Sequence, residues 1–281
     1  MKKITNKEIM QFKEYLLCEE KSEATTEKYI RDLTVFSKWS NGKNITKELV
    51  LSYKQEISLK YAPASVNSML SSINNFFTYK AWHELKVKSL KIQKPLYIDK
   101  SKELTKKDYQ KLLETARNLP NPRLYYLLQT ICACGIRVSE LKFITTDALN
   151  IGKSIIRSKG KTREILIPLK LCTILKKYAS EKGIKDGPVF VTYNGRPLDR
   201  TNIWVQMKNL CKKSGIPAEK VYPHNLRHLF ARTFYASQKD VVRLADILGH
   251  SSVNTTRIYT MENSDVHRRQ MQNLGLFDLD V

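Results

Sequence analysis

No run of about 18 apolar residues occurs in this 281-residue chain, which excludes a hydrophobic membrane-spanning helix. No apolar stretch follows the basic start Met1-Lys2-Lys3. Asn6, Lys7 and Glu8 come too early for a secretory signal, so a cytoplasmic location is expected. The five cysteines, Cys18, Cys132, Cys134, Cys172 and Cys211, are odd in number and lack CxxC spacing. That argues against a disulfide framework and against a zinc site, and Cys132 and Cys134, in an apolar stretch, are expected to be buried. There is no Walker-type phosphate loop and no cluster of carboxylates, so neither a nucleotide nor a metal cofactor is expected. Internal repeats and low-complexity tracts are absent too. Acidic residues are scarce: 27 Asp and Glu face 49 Lys and Arg, a formal charge of +22. Such an excess repels itself in a compact fold, and a polyanionic partner relieves it. Nucleic acid fits better than an acidic membrane, because no segment is a purely basic amphipathic helix flanked by anchors.

The apolar residues that are present, 42% of the chain, follow helical spacing over the first 90 residues. Thr5 and Glu8 form a capping box ahead of Ile9, Phe12 and Leu16. A second helix from near Thr25 carries Tyr29, Leu33 and Phe36, and a third from Thr46 carries Val50, Tyr53 and Ile57. A fourth follows Pro63, with Val66, Met69, Leu70, Ile73, Phe76 and Phe77 inward. Its other face holds Asn67, Ser68, Ser71, Asn74 and Asn75, and is either a solvated surface or a face set against phosphates. Lysines then surround Pro95, and residues 91–103 are expected to be a basic linker.

A second region, 104–281, opens with the capping pair Thr105 and Asp108 and a helix to Arg117. A helix from Arg123 to Cys134 stops at Gly135. Residues 154–157 and 163–167 flank the turn Ser158-Lys159-Gly160-Lys161 as a β-hairpin, and Val189–Val191 reads as a short strand. Helices are expected at Thr201–Cys211, His224–Ala236, Val241–Leu248 and Asn254–Tyr259, with a last one from Asp265 to Asn273. The predicted fold class is therefore mainly α: a helical domain followed by a mostly helical domain with a small antiparallel β-sheet.

Four segments carry residues suited to chemistry on a phosphate. Gly135-Ile136-Arg137-Val138-Ser139-Glu140-Leu141 supplies an Arg after a helix stop. Lys159 lies at the hairpin tip. His224-Asn225-Leu226-Arg227-His228 places His224 and Arg227 on one helical face. Leu248-Gly249-His250 is followed, nine residues after His250, by Tyr259. Together these segments resemble the tyrosine recombinase family, whose order Arg, Lys, His-x-x-Arg, His, Tyr is met by Arg137, Lys159, His224, Arg227, His250 and Tyr259. In the usual Gly-Lys-Gly turn the first Gly is here Ser158, and Lys161 is the alternative to Lys159.

The resemblance implies two domains closing around duplex DNA as a clamp. It also implies a phosphotyrosine formed by Tyr259 and clamping of phosphate oxygens by Arg137 and Arg227. His250 adds a hydrogen bond, His224 exchanges a proton, and Lys159 protonates the leaving 5′ oxygen. The positive surroundings are expected to lower the cost of deprotonating Tyr259. The implied partners are double-stranded DNA with paired inverted sites and three further copies on that DNA. The free protein is expected to be a monomer or weak oligomer, nucleoid-associated, with accessory proteins or a partner recombinase possible. With no further domain ahead of the helical region, the expected architecture is the simple Xer-like or resolvase-like one. A type IB topoisomerase and a non-enzymatic DNA-binding module are the rival classes. The tail, with Met271, Leu274, Leu276, Phe277 and Leu279, is expected either to fold back or to dock on a neighbouring copy.

Overall fold

The computed structural model describes residues 2–92, 100–158, 161–259, 268, 271–274 and 276. The chain divides into two compact units, 1–94 and 95–281.

The first unit consists of α1 (Asn6–Cys18), α2 (Glu23–Ser40), α3 (Lys47–Lys60) and α4 (Pro63–Tyr79). Thr5 and Glu8 cap α1 reciprocally, Thr46 caps α3, and Pro63 starts α4 where a missing N–H costs nothing. The apolar stripes read from the sequence meet in one core around Phe12, Phe36, Tyr53, Phe76 and Phe77. On the polar face of α4, two of the five side chains, Asn67 and Asn74, are engaged within the unit, while Ser71 is exposed. The Asn74 side chain donates to Val87 O (2.8 Å) and accepts from Val87 N (3.1 Å). Asn67 does the same with Leu90, at 2.9 and 2.7 Å. Two side-chain amides seven residues apart thus act as a strand edge for the extended chain at 87–90, and seat Val87 in the core.

The second unit starts with a 3-10 turn at Lys100–Lys102, then α5 (Lys106–Arg117), α6 (Arg123–Cys134) and a 3-10 segment, Val138–Phe143. Next come α7 (Thr146–Ile151), the antiparallel pair β1 (Lys153–Ser158) and β2 (Lys161–Leu166), and α8 (Leu169–Glu181). It continues with α9 (Arg200–Ser214), α10 (Pro223–Gln238), α11 (Val241–Leu248), α12 (Val253–Thr256) and a 3-10 turn, Arg257–Tyr259. The mainly helical class with one small antiparallel sheet is as expected. The helices α7 and α8 were not anticipated, although Leu171, Cys172, Leu175, Tyr178 and Ala179 form a helical stripe on α8. The strand expected at Val189–Val191 is only two isolated bridges, Thr145–Pro188 and Val191–Pro197. Val189 and Phe190 are both buried, so the segment lacks the alternation of a half-exposed strand. The helix expected at Asn254–Tyr259 is α-helical over Val253–Thr256 and tightens to 3-10 over Arg257–Tyr259. Cys134 is buried, while Cys132 is half-buried. Most of the expected linker and of the helix 265–273 lies outside the described residues, as does Lys159. No described helix is long and apolar enough to cross a membrane.

Replacing Asn74 by Ala unpairs the N–H and C=O of Val87 together. We expect the first unit to lose about 1–3 kcal/mol. Urea unfolding in a Trp204→Phe background, which leaves Trp39 and Trp82 as reporters, checks this. An unchanged midpoint would show that water replaces the amide at no cost.

Candidate active site

Gly135 ends α6 with φ +61, and a Cβ there would lie 2.4 Å from the Phe230 ring. The chain therefore turns sharply, buries Ile136 and brings Arg137 to the start of the 3-10 segment. Glu140, itself buried, holds Arg137 at two points. It accepts from the backbone N–H (2.8 Å) and from Nη1 (3.1 Å). A second guanidinium, Arg163 on β2, donates Nη2 to the same carboxylate and Nη1 to Ile247 O at 3.1 Å. Its stem lies under Gly249, where a Cβ would approach Arg163 Cδ to 2.4 Å.

Helix α10 contributes His224, Arg227 and His228. Arg227 is 1% exposed. Its Nη1 donates to Gly135 O (2.6 Å), and its Nη2 donates to Leu248 O (2.7 Å) and lies 3.0 Å from His250 Nε2. Both carbonyls stand at helix C-termini, where the partial negative charge of α6 and α11 collects. The other nitrogen of His250, Nδ1, is 2.8 Å from Thr256 Oγ1. Tyr259 is 8% exposed. Its ring meets His228 edge-on at 5.1 Å and stacks over His250 at 6.2 Å. His224 and His228 are 6.1 Å apart between ring centres.

Arg137, His224, Arg227, His250 and Tyr259 are thus brought together through these contacts and the charges they exert on one another. Lys159 is not placed, being outside the described residues. Glu140, Arg163, His228 and Thr256 join the site without having been assigned a part in it. Arg163 carried a sequence signal: it pairs with Ile156 across the hairpin and shares the inward strand face with buried Ile165. An arginine on the inward face of a strand requires a buried anion, and Glu140 supplies one.

Burial, then the charges of Arg137 and Arg163, lowers the Arg227 pKa to about 10. Burial followed by nearby cations also lowers the three histidines. His228 falls to about 4 through burial, His224 and Arg232, and His250 to about 4 through burial, Arg227, Arg137 and Arg163. His224 moves down through burial, Arg227 and Arg137. For Tyr259 the cations act in the expected direction, but burial, which was not expected, is larger. Burial raises its pKa and outweighs the lowering by Arg227 and Arg137, so the free phenol stays protonated. Among the described residues no group of His, Cys, Asp and Glu is arranged to hold a metal ion.

The profile of the "Phage integrase family" matches residues 102–265, and that of "Phage integrase, N-terminal SAM-like domain" matches 9–84. Tyrosine recombinase XerA of Pyrococcus furiosus is 30% identical over 99% of this chain and 97% of its own. Tyrosine recombinase XerD of Listeria monocytogenes serovar 1/2a is 31% identical over 90% and 93%. The crystal structure of XerA recombinase matches with TM-score 0.51 and 26% identity, over 97% of this chain and all of that one. A lambda integrase (75-356) dimer bound to a COC′ core site shares the fold at TM-score 0.74 and 18% identity, over 91% of this chain and 94% of that one. Fold and sequence together define an enzyme that cleaves and religates DNA strands. The chain belongs to the phage integrase family of tyrosine recombinases.

The histidine shifts have a consequence for stability. His228 and His250 titrate at about 4 when folded, against 6.5 ordinarily. The unfolded chain therefore binds more protons between these values. The stability associated with the neutral rings is present above about pH 6.5 and is lost as pH falls toward 4. Melting curves across this window should show Tm falling with pH, and a His228→Asn/His250→Asn variant should show a shallower slope. Equal slopes in the two proteins would contradict the assignment.

Proposed function

We propose that this enzyme recombines duplex DNA at paired inverted sites. In this reading Tyr259 forms a 3′-phosphotyrosine, and four copies make and resolve a Holliday junction. The observation that carries the proposal is Arg227, buried and fixed by two helix-end carbonyls, with the Tyr259 phenol held close enough to feel its charge. XerH was solved with its difH substrate and lambda integrase with a core site, which supports duplex DNA as the substrate here.

The chemistry follows from charge. The Tyr259 oxygen attacks phosphorus, the P–O5′ bond breaks, and the 5′ oxygen leaves with a proton. The phosphodiester carries one negative charge, and the five-coordinate transition state approaches two. Arg137, Arg163 and Arg227 against Glu140 leave two positive charges uncompensated. Arg137 and Arg227 are the groups proposed to hold the non-bridging oxygens, already anchored and so needing little reorganisation. His224, neutral in the free protein, takes the phenol proton, and His250 ligates the phosphate. Lys159 on the hairpin protonates the leaving oxygen. The phosphotyrosine ester conserves the energy of the broken bond, so rejoining by an incoming 5′ hydroxyl needs no nucleotide.

Tyr259→Phe removes only the attacking oxygen. It should bind DNA normally and form no covalent adduct on a nicked suicide substrate. An adduct formed by the Phe protein would overturn the assignment.

Lys159→Ala should slow cleavage about 10²–10⁴-fold, the usual contribution of a general acid. A substrate with sulfur at the 5′ bridging position should restore the rate, since a thiolate leaves without a proton. Rescue confined to Lys161→Ala would move the role two residues along.

A further inference from the structure

Arginine carries N–H donors and no acceptor, so the His250 Nε2 that lies 3.0 Å from Arg227 Nη2 must present its lone pair. A neutral imidazole then keeps its single proton on Nδ1, which faces Thr256 Oγ1 at 2.8 Å. Thr256 is fully buried, so no water competes for that proton. It is the last residue of α12, three residues before Tyr259, which ends the 3-10 turn that follows directly. We propose that the Thr256 hydroxyl is a positioning group that fixes the tautomer and ring orientation of His250, and ties both to the tyrosine-bearing turn. The proposal rests on the reading of His250 as a ligand of the scissile phosphate.

The physical case has two parts. The first concerns the free protein. Without an acceptor at Thr256, the Nδ1 proton is buried and unpaired. The ring then gains by moving its proton to Nε2 or by flipping, and either change sets an N–H or C–H against the Arg227 guanidinium. Arg227, Arg137 and Arg163 all act on the ring from three different elements, and together with burial they keep it neutral. The second part concerns the bound state. A phosphate oxygen that accepts the Arg227 Nη2 hydrogen facing His250 leaves Nε2 free, while the other Nη2 hydrogen stays on Leu248 O, and the anion offsets the same three guanidiniums. The ring can then take up a proton on Nε2 and donate to a phosphate oxygen. Thr256 Oγ1 accepts from Nδ1–H in both protonation states, so the ring need not turn between them. A hydroxyl here therefore serves the free and the bound site with one geometry, as orienting partners of a functional imidazole do elsewhere.

Two substitutions separate this from a packing role. Thr256→Val keeps the shape and loses the hydroxyl, whereas Thr256→Ser keeps the hydroxyl and loses the methyl. In single-turnover cleavage of a suicide substrate we expect Val to be slower by about 10–100-fold and Ser to stay within about threefold of the parent. DNA affinity should be unchanged in both. The ¹⁵N shifts of His250 in the free parent protein should report the Nδ1–H tautomer, retained in the Ser variant and mixed with Nε2–H in the Val variant. A parent His250 protonated on Nε2 overturns the proposal whether or not the variants fold. So does a Val variant as fast as the parent beside a slow Ser variant. The underlying reading is tested apart: His250→Ala cleaving at the parental rate removes His250 from the reaction, while the parent's tautomer still reports on Thr256.

Discussion

Much of the second unit depends on one buried cation. Taking the Arg227 guanidinium out of water costs several kcal/mol unless its N–H groups are met. They are met by Gly135 O and Leu248 O, two carbonyls at the C-terminal ends of α6 and α11, and by the lone pair of His250. Each helix end has to stop where its carbonyl can turn toward Arg227. Gly135 and Gly249 allow this because both take positive φ and because Phe230 and Arg163 fill the space a Cβ would need. Arg227 therefore holds the ends of α6 and α11 together as well as supplying charge. These contacts fix it in the free protein.

Around it, the Glu140 carboxylate keeps repulsion in check. Glu140 binds Arg137 and Arg163 together, so the 3-10 segment and the hairpin share one anion. The surplus positive charge is the useful part of the arrangement, since a phosphodiester gains negative charge as it reacts. Burial, and then the same surplus, keeps His224, His228 and His250 neutral. It falls short of ionising Tyr259, whose burial acts in the opposite direction. In the proposed reaction, cleavage therefore waits on a proton acceptor and an incoming phosphate.

The first unit solves a simpler problem. Its four helices close an aromatic core, and the chain leaving that core is extended where it has no sheet to join. Asn67 and Asn74 supply the missing strand edge, each side-chain amide offering one donor and one acceptor in place of a peptide group. Polar residues on an outward helical stripe can therefore be structural when backbone lies within reach.

What the sequence determined by itself was local or periodic. The family resemblance carried Arg137, Arg227, His250 and Tyr259, whereas the capping boxes at Thr5 and Thr105, the 3.6-residue stripes of α1 to α4 and the pairing of β1 with β2 follow from spacing over a few residues. Such spacing is set by helix and strand geometry alone. The tertiary structure decided everything that needed a partner far along the chain. Arg163 reads as a strand residue until Glu140, 23 positions away, is set beside it. Asn67 reads as surface until Leu90 arrives, and Val189–Val191 reads as a strand although no neighbouring edge extends its pairing. The proton balance of Tyr259 belongs to this second group. Its own sequence neighbours say nothing of its burial, which arises only when α10, His250 and the 3-10 turn close over the ring, and desolvation then outweighs the nearby cations.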